Sequence, residues 1–163
     1  MQHPYNYSLD GDTFTYRFTT KLGIEYYLVF VEDKSLENVN PNLGDNIYQL
    51  ILDKKGEQIE PKDAQVFLTI QSIINDFFQQ IEHALIYVCA DSDSKQDKRE
   101  KLFSRWYQQS TSKHYLIKID NQIKIQTTSG FIYMSLLYHI DNAKGDELTR
   151  SFRQLAKLLE QDK

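Results

Sequence analysis

The chain reads as an α+β protein, an antiparallel or mixed sheet with helices packed on it, and three observations predict that class. Apolar residues alternate with period 2 between Thr13 and Thr20, and the spacing turns helical between Val66 and Ile81. Hairpin-type neighbours then frame the helices in the order βββαβαβββα.

Thr13 to Thr20 sets Phe14, Tyr16 and Phe18 on one side and Thr13, Thr15, Arg17 and Thr19 on the other, as a half-buried strand does. Ile24 to Glu32 follows after Lys21-Leu22-Gly23 and is apolar on both sides, so the pair reads as a hairpin whose second strand is the more central. Asp33 to Asp45, with its Asn, Pro and Gly residues, is the longest loop. Ile47 to Leu52 is a third strand, and Asp53-Lys-Lys-Gly56 a turn.

From Pro61 onward, Val66, Phe67, Ile70, Ile73, Ile74, Phe77, Phe78 and Ile81 form the stripe of an amphipathic helix. Pro61 and Asp63 suit its first turn, and its roughly 22 residues would span about 33 Å. The stripe is read as core, with no ligand. Leu85 to Cys89 is a short apolar strand, and Lys98 to Gln109 a second helix, with Ser94 and Asp97 in capping-box spacing. Tyr115 to Ile119 and Gln122 to Thr127 alternate around Asp120-Asn121, which predicts a hairpin turn there, although no Gly follows the Asn. Phe131 to Ile140 adds a strand, and Leu148, Phe152, Leu155, Leu158 and Leu159 mark an amphipathic closing helix over Gly145 to Gln161.

One domain over residues 1–163 is expected, because a chain of this length buries about 70% of its unfolded surface in one core. With 40% hydrophobic and 13% aromatic residues, disorder is excluded. The single Cys89 forbids an internal disulfide framework and a cysteine-based zinc site. No stretch approaches the roughly 18 apolar residues of a membrane span, and Met1-Gln-His-Pro-Tyr5 lacks the features of a secretory leader. A cytoplasmic protein with no membrane partner is the expectation.

The formal charge of −4 hides a polarity. Residues 1–90 carry 6 basic and 13 acidic side chains, whereas residues 91–163 carry 13 and 10. Between Lys95 and Lys124 the balance reaches +5. That stretch supplies the candidate interaction or anion-binding residues Asp91, Asp93, Lys98, Arg99, Lys101, Arg105 and Trp106. Asp91 and Asp93 leave the C-terminal end of a strand just before a helix, where hard oxygens could hold Mg²⁺ while Lys95 or Arg99 met a phosphate. The competing account is helix capping and solvation, with Asp97 paired to Lys101. Arg99 falls on the apolar side of the helix and suits a carboxylate such as Asp91 or Asp93, while Lys98, Lys101 and Arg105 form a basic face beside Tyr107, His114 and Tyr115. A calcium EF-hand loop beginning at Asp91 fails, because Gln96 and Leu102 stand where Gly and Glu are needed. A haloacid dehalogenase type of site fails as well, since Ser94-Lys95 replaces its Gly-Thr.

Glu32-Asp33-Lys34 has the E-x-K spacing of restriction-type nucleases, with Asp10 or Asp12 upstream, but the spacing is short enough to arise by chance. The four histidines form no zinc motif, and no G-x-S-x-G, G-x-G-x-x-G or Walker loop occurs. Cys89, in an apolar strand, reads as a buried thiol. No catalytic residue, metal ligand or cofactor is assigned.

Tyr16-x-Phe18-x-Thr20-x-x-Gly23-x-x-Tyr26-x-x-x-Phe30, with Cys89-x-Asp91 and Arg99-x-x-x-Phe103-x-x-Trp106 downstream, resembles a family of small bacterial proteins catalogued as a domain of unknown function. The resemblance carries no activity. It implies an intracellular bacterial protein and, by association, an accessory role of the immunity, antitoxin or defence type. The function expected from the residues is a non-catalytic interaction protein with a protein partner or a second copy of itself. The alternative is nucleic-acid binding or metal-dependent phosphodiester chemistry through the loop and helix of residues 91–106.

Overall fold

The computed structural model describes residues 2–55, 63–89, 104–124 and 131–161. Its strands are β1 (Tyr7–Asp10), β2 (Thr15–Thr19), β3 (Glu25–Glu32), β4 (Ile47–Lys55), β5 (Ala84–Cys89), β6 (Leu116–Lys124) and β7 (Phe131–His139). The helices are α1 (Ala64–Phe77), α2 (residues 104–109) and α3 (Gly145–Gln161). All seven strands join one sheet in the order β1-β2-β3-β4-β5-β7-β6, antiparallel except where β4 runs parallel to β5. The α+β class with a mixed sheet is therefore as the sequence predicts, and β3 lies inside β2 as expected.

Side chains that face each other across paired strands share a sheet face, so the register sorts the core into two layers. On one face, Tyr16, Phe18, Tyr26, Leu28, Phe30, Leu85, Leu116 and Leu137 pack with Ile73, Ile74 and Phe77 of α1 and Trp106 of α2. On the other, Ala84, Ile86, Met134, Leu136, Tyr138 and Ile123 pack with Leu148, Phe152 and Leu155 of α3. Leu36 and Leu43 complete this second layer from two 3-10 turns, Ser35–Asn38 and Pro41–Leu43. The long loop thus contributes core that its polar composition conceals.

Several elements depart from the sequence reading. β1 is a strand that four residues are too short to announce by periodicity. Phe14 is a turn residue at φ 48°, held there by ring contacts to Tyr16, Phe30, Tyr48 and Phe77, and β2 begins after it. β4 continues through Asp53–Lys55, because β3 supplies partners as far as Glu25 opposite Lys55, so no turn begins at Asp53.

Helix α1 has 14 residues, about 21 Å, and is shorter than its apolar stripe. Asp63 is its N-cap, in extended conformation, with Oδ1 accepting from Gln65 N at 2.9 Å. At the other end His83 Nδ1 lies 2.8 Å from the Phe77 carbonyl, which can only accept, so Nδ1 carries the proton and occupies a terminal carbonyl. Phe78 is buried as the C-cap, and Ile81 lies past the helix, exposed.

The expected hairpin at Asp120-Asn121 is corrected: β6 runs unbroken across it, paired with β7 from Leu116–His139 to Lys124–Phe131. These two side chains favour turns by bonding to their own backbone, and here both are bonded elsewhere. Asp120 accepts from Ser135 Oγ at 2.6 Å and from Lys118, while Asn121 Nδ2 donates to the Phe152 carbonyl of α3 at 3.1 Å. The predicted order of elements thus stands with one strand added at the start and two joined into β6. Pro61, Gly56 and the proposed Ser94 and Asp97 capping box lie outside the described residues.

Candidate functional site

Of the residues singled out by the sequence, Asp91, Asp93, Lys98, Arg99 and Lys101 lie outside the described residues. Arg105 is exposed on α2, and Trp106, one residue on, is 7% exposed and sits in the core layer beneath that helix. Of the eight basic residues between Lys95 and Lys124, Arg105, Lys113, Lys118 and Lys124 are described. Lys118 belongs to the fold: its side chain is 5% exposed, in a salt bridge with Asp120, and its Nζ reaches Ser104 Oγ at 3.3 Å. Tyr107 closes the same corner by donating to the Leu116 carbonyl at 2.7 Å. Burial, then the charge of Asp120, pushes the Tyr107 phenol up. These bonds fasten α2 to β6.

The Glu32-Asp33-Lys34 triplet is likewise engaged locally. Lys34 Nζ donates to the Gly44 carbonyl at 2.5 Å, and Asp33 Oδ1 accepts from the backbone and hydroxyl of Ser35. The triplet closes the loop between β3 and β4. Asp10 stands on β1 across from Thr15, paired with Arg17 rather than with Glu32.

The layer beneath α3 draws its strand residues from β4 to β7, and among its buried members none comes from β1, β2 or β3. Register places Ser8 and Asp10, Thr15, Arg17 and Thr19, Glu25, Tyr27, Val29 and Val31, and Gln49, Ile51, Asp53 and Lys55 on that same face. Val31 is 43% and Ile51 47% exposed there, next to half-buried Tyr27 and Val29. This half-sheet is the candidate site. The sequence concealed it, because Ile24 to Glu32 reads as apolar on both sides and so as covered on both.

Four of the five charges on this face form opposite pairs, and Asp53 adds a further carboxylate. Arg17 reaches Asp10 at 4.0 Å and places its guanidinium 5.8 Å from the centre of the Tyr27 ring. Tyr27 donates to Glu25 Oε2 at 2.7 Å, and Lys55 Nζ lies 4.0 Å from the same carboxylate. The hydrogen bond to Glu25 holds the Tyr27 phenol above its ordinary value. A cleft of about 510 Å³ opens at the edge of this face, between residues 5–8 and the side chains of Arg17, Thr19, Glu25 and Tyr27. With both cations already beside carboxylates, the arrangement offers apolar area and paired charge, which is the chemistry of contact.

The edge bearing that cleft is tied to α1 by two phenols. Tyr5 donates to Asp63 Oδ2 and Tyr7 to Asp76 Oδ2, each at 2.6 Å, and the backbone N–H of Tyr5 donates to Thr69 Oγ1 at 2.8 Å. The bond from Tyr5 holds the Asp63 carboxyl below its ordinary range. Burial, then the bond to Asp76, pushes the Tyr7 phenol well up.

Comparisons with curated proteins and with solved structures returned no match. No described helix is long and apolar enough to cross a membrane. Residues 62–154, which run from the approach to α1 into α3 and make up more than half of the chain, match the family of unknown function DUF6169, and the chain belongs to that family.

Proposed function

We propose that this chain is a non-catalytic interaction protein and that it binds a protein partner through the open half of its sheet. The observation that supports this reading is the exposure of Val31 and Ile51 beside Tyr27 and Val29, on a face that α3 covers only farther along the sheet. Single exposed apolar residues are ordinary, but neighbours on adjacent strands of one sheet face form a contiguous patch. Apolar residues beside an aromatic ring and charged side chains are the composition of a protein interface. The charges serve register and selectivity, since both cations, Arg17 and Lys55, already stand beside carboxylates within the chain.

Photocrosslinking in cells tests this. An activatable amino acid placed at position 31 or 51 is expected to give discrete protein adducts, while the same group at Leu158, an exposed apolar position on α3, gives none. Adducts equal at all three positions, or absent from 31 and 51, would remove the support for this surface.

A further inference from the structure

Resting on that reading of the open half-sheet, we infer that its occupant is a second copy of this chain, packed face to face across β1 to β4. A two-fold interface joins one patch to itself, so the patch must be complementary to its own copy. A surface of one sign fails that condition. This one meets it: Arg17 and Lys55 stand among Asp10, Glu25 and Asp53, a net of −1 on a chain of net −4. The charges come as the neighbouring opposites Arg17–Asp10 and Lys55–Glu25, which can exchange partners across a two-fold axis. A polyanion would find no excess of positive charge here, and a strongly basic partner little excess of negative charge.

Area supports the same occupant. Four strands at about 4.8 Å spacing, and residues 25–31 at about 3.3 Å each, give a face of roughly 19 by 20 Å. Two such faces, with side-chain relief, bury about 1,000 Å², the lower bound for a specific association. Two sheets can meet this way at about 10 Å separation, with Arg17 and Tyr27 near the middle and Val29, Val31 and Ile51 toward one end, in the aligned packing of a β-sandwich. Because the area is at the lower bound, the dimer exchanges with monomer instead of being permanent.

Sedimentation or light scattering of the purified full-length chain tests the inference over low micromolar to near-millimolar concentrations. The expected mass rises from one chain to two. Ile51→Lys and, separately, Val31→Lys each place an extra cation in the apolar part of both faces and are expected to move the midpoint upward at least about tenfold. Both sites are more than 40% exposed, so folding survives, with circular dichroism as the check. Leu158→Lys is expected to leave the midpoint in place. A one-chain mass throughout, or a dimer indifferent to both face variants, overturns the inference. If adducts at positions 31 and 51 are then to a different protein, the interaction reading stands and only the identity of the occupant falls; if there are no such adducts, both fall.

Discussion

Asp63 shows what one side chain does when its partners are distant in sequence. Its position before the apolar stripe made it legible as a residue for the start of α1, and as the N-cap it does serve that end. The second role was not legible, because the phenol that donates to it comes from Tyr5, 58 residues away. Through this contact the first residues of the chain are fixed to α1, and with them one wall of the cleft. The carboxyl is held below its ordinary value of 3.8, first by Tyr5 and also by the backbone of Gln65 and the charge of Lys21. A depressed folded value means that the stabilisation is present above 3.8 and lost as pH falls through the lower folded value. Tyr5→Phe removes the donor and is expected to lower stability by about 1 kcal/mol near neutral pH, the net worth of one partly exposed hydrogen bond. Urea unfolding at neutral pH and below pH 3.8 should show the gap between the two proteins closing in acid. A gap that does not change with pH would mean that the hydroxyl acts through contacts other than the Asp63 carboxylate, such as the Lys21 backbone N–H, and no gap at either pH would mean that Tyr5 acts by packing alone.

At the scale of elements, legibility followed how local the determining interactions are. α3 was readable end to end, since its stripe is periodic and Gly145, Asp146 and Glu147 mark its start. β6 was misread because the bonds that keep Asp120 and Asn121 extended come from β7 and α3. As an edge strand, β6 also points Lys118 inward, a device that discourages pairing with further strands. The seating of α3 on β7 gives a prediction whose sign sequence alone would reverse. Alanine at an exposed helical glycine stabilises by up to about 1 kcal/mol. At Gly145, however, a Cβ would lie 2.8 Å from Cε2 of Tyr138. That ring is 6% exposed in the core, and its hydroxyl lies 2.8 Å from Thr149 Oγ1, which itself donates to the Gly145 carbonyl at 3.0 Å. The ring therefore has little room to retreat, and Gly145→Ala is expected to destabilise by about 1–3 kcal/mol in thermal or urea unfolding. An unchanged or raised midpoint would show that Tyr138 yields.

For the whole molecule, the class could be read from the change of period along the chain, but the arrangement of the sheet could not. Consecutive strands lie side by side as far as β5, and then β7 enters between β5 and β6. That choice depends on which apolar faces fit over α1 and α3, a property of the folded whole. The aromatic surplus shows the same division. Its number predicted a core, and the structure adds that phenols of that core are held in their neutral form. Burial is the leading cause of the upward shifts at Tyr7, Tyr16, Tyr48 and Tyr107, joined by Asp76 at the first two, Glu32 at the third and Asp120 at the fourth. The unfolded chain ionises these groups at about 10.0, below their folded values. Their contribution to stability is therefore full below that pH and is lost as pH rises through the folded values. A phenolate absorbance titration is expected to show, among the 11 tyrosines, a late group containing Tyr7, Tyr16, Tyr48 and Tyr107 that ionises above the unfolded-chain value and as the fold is lost. Circular dichroism followed in parallel should show unfolding coincide with that late group. Ionisation of all 11 in a single step, with the dichroism unchanged, would show that these phenols are open to solvent and that the two core layers do not hold them.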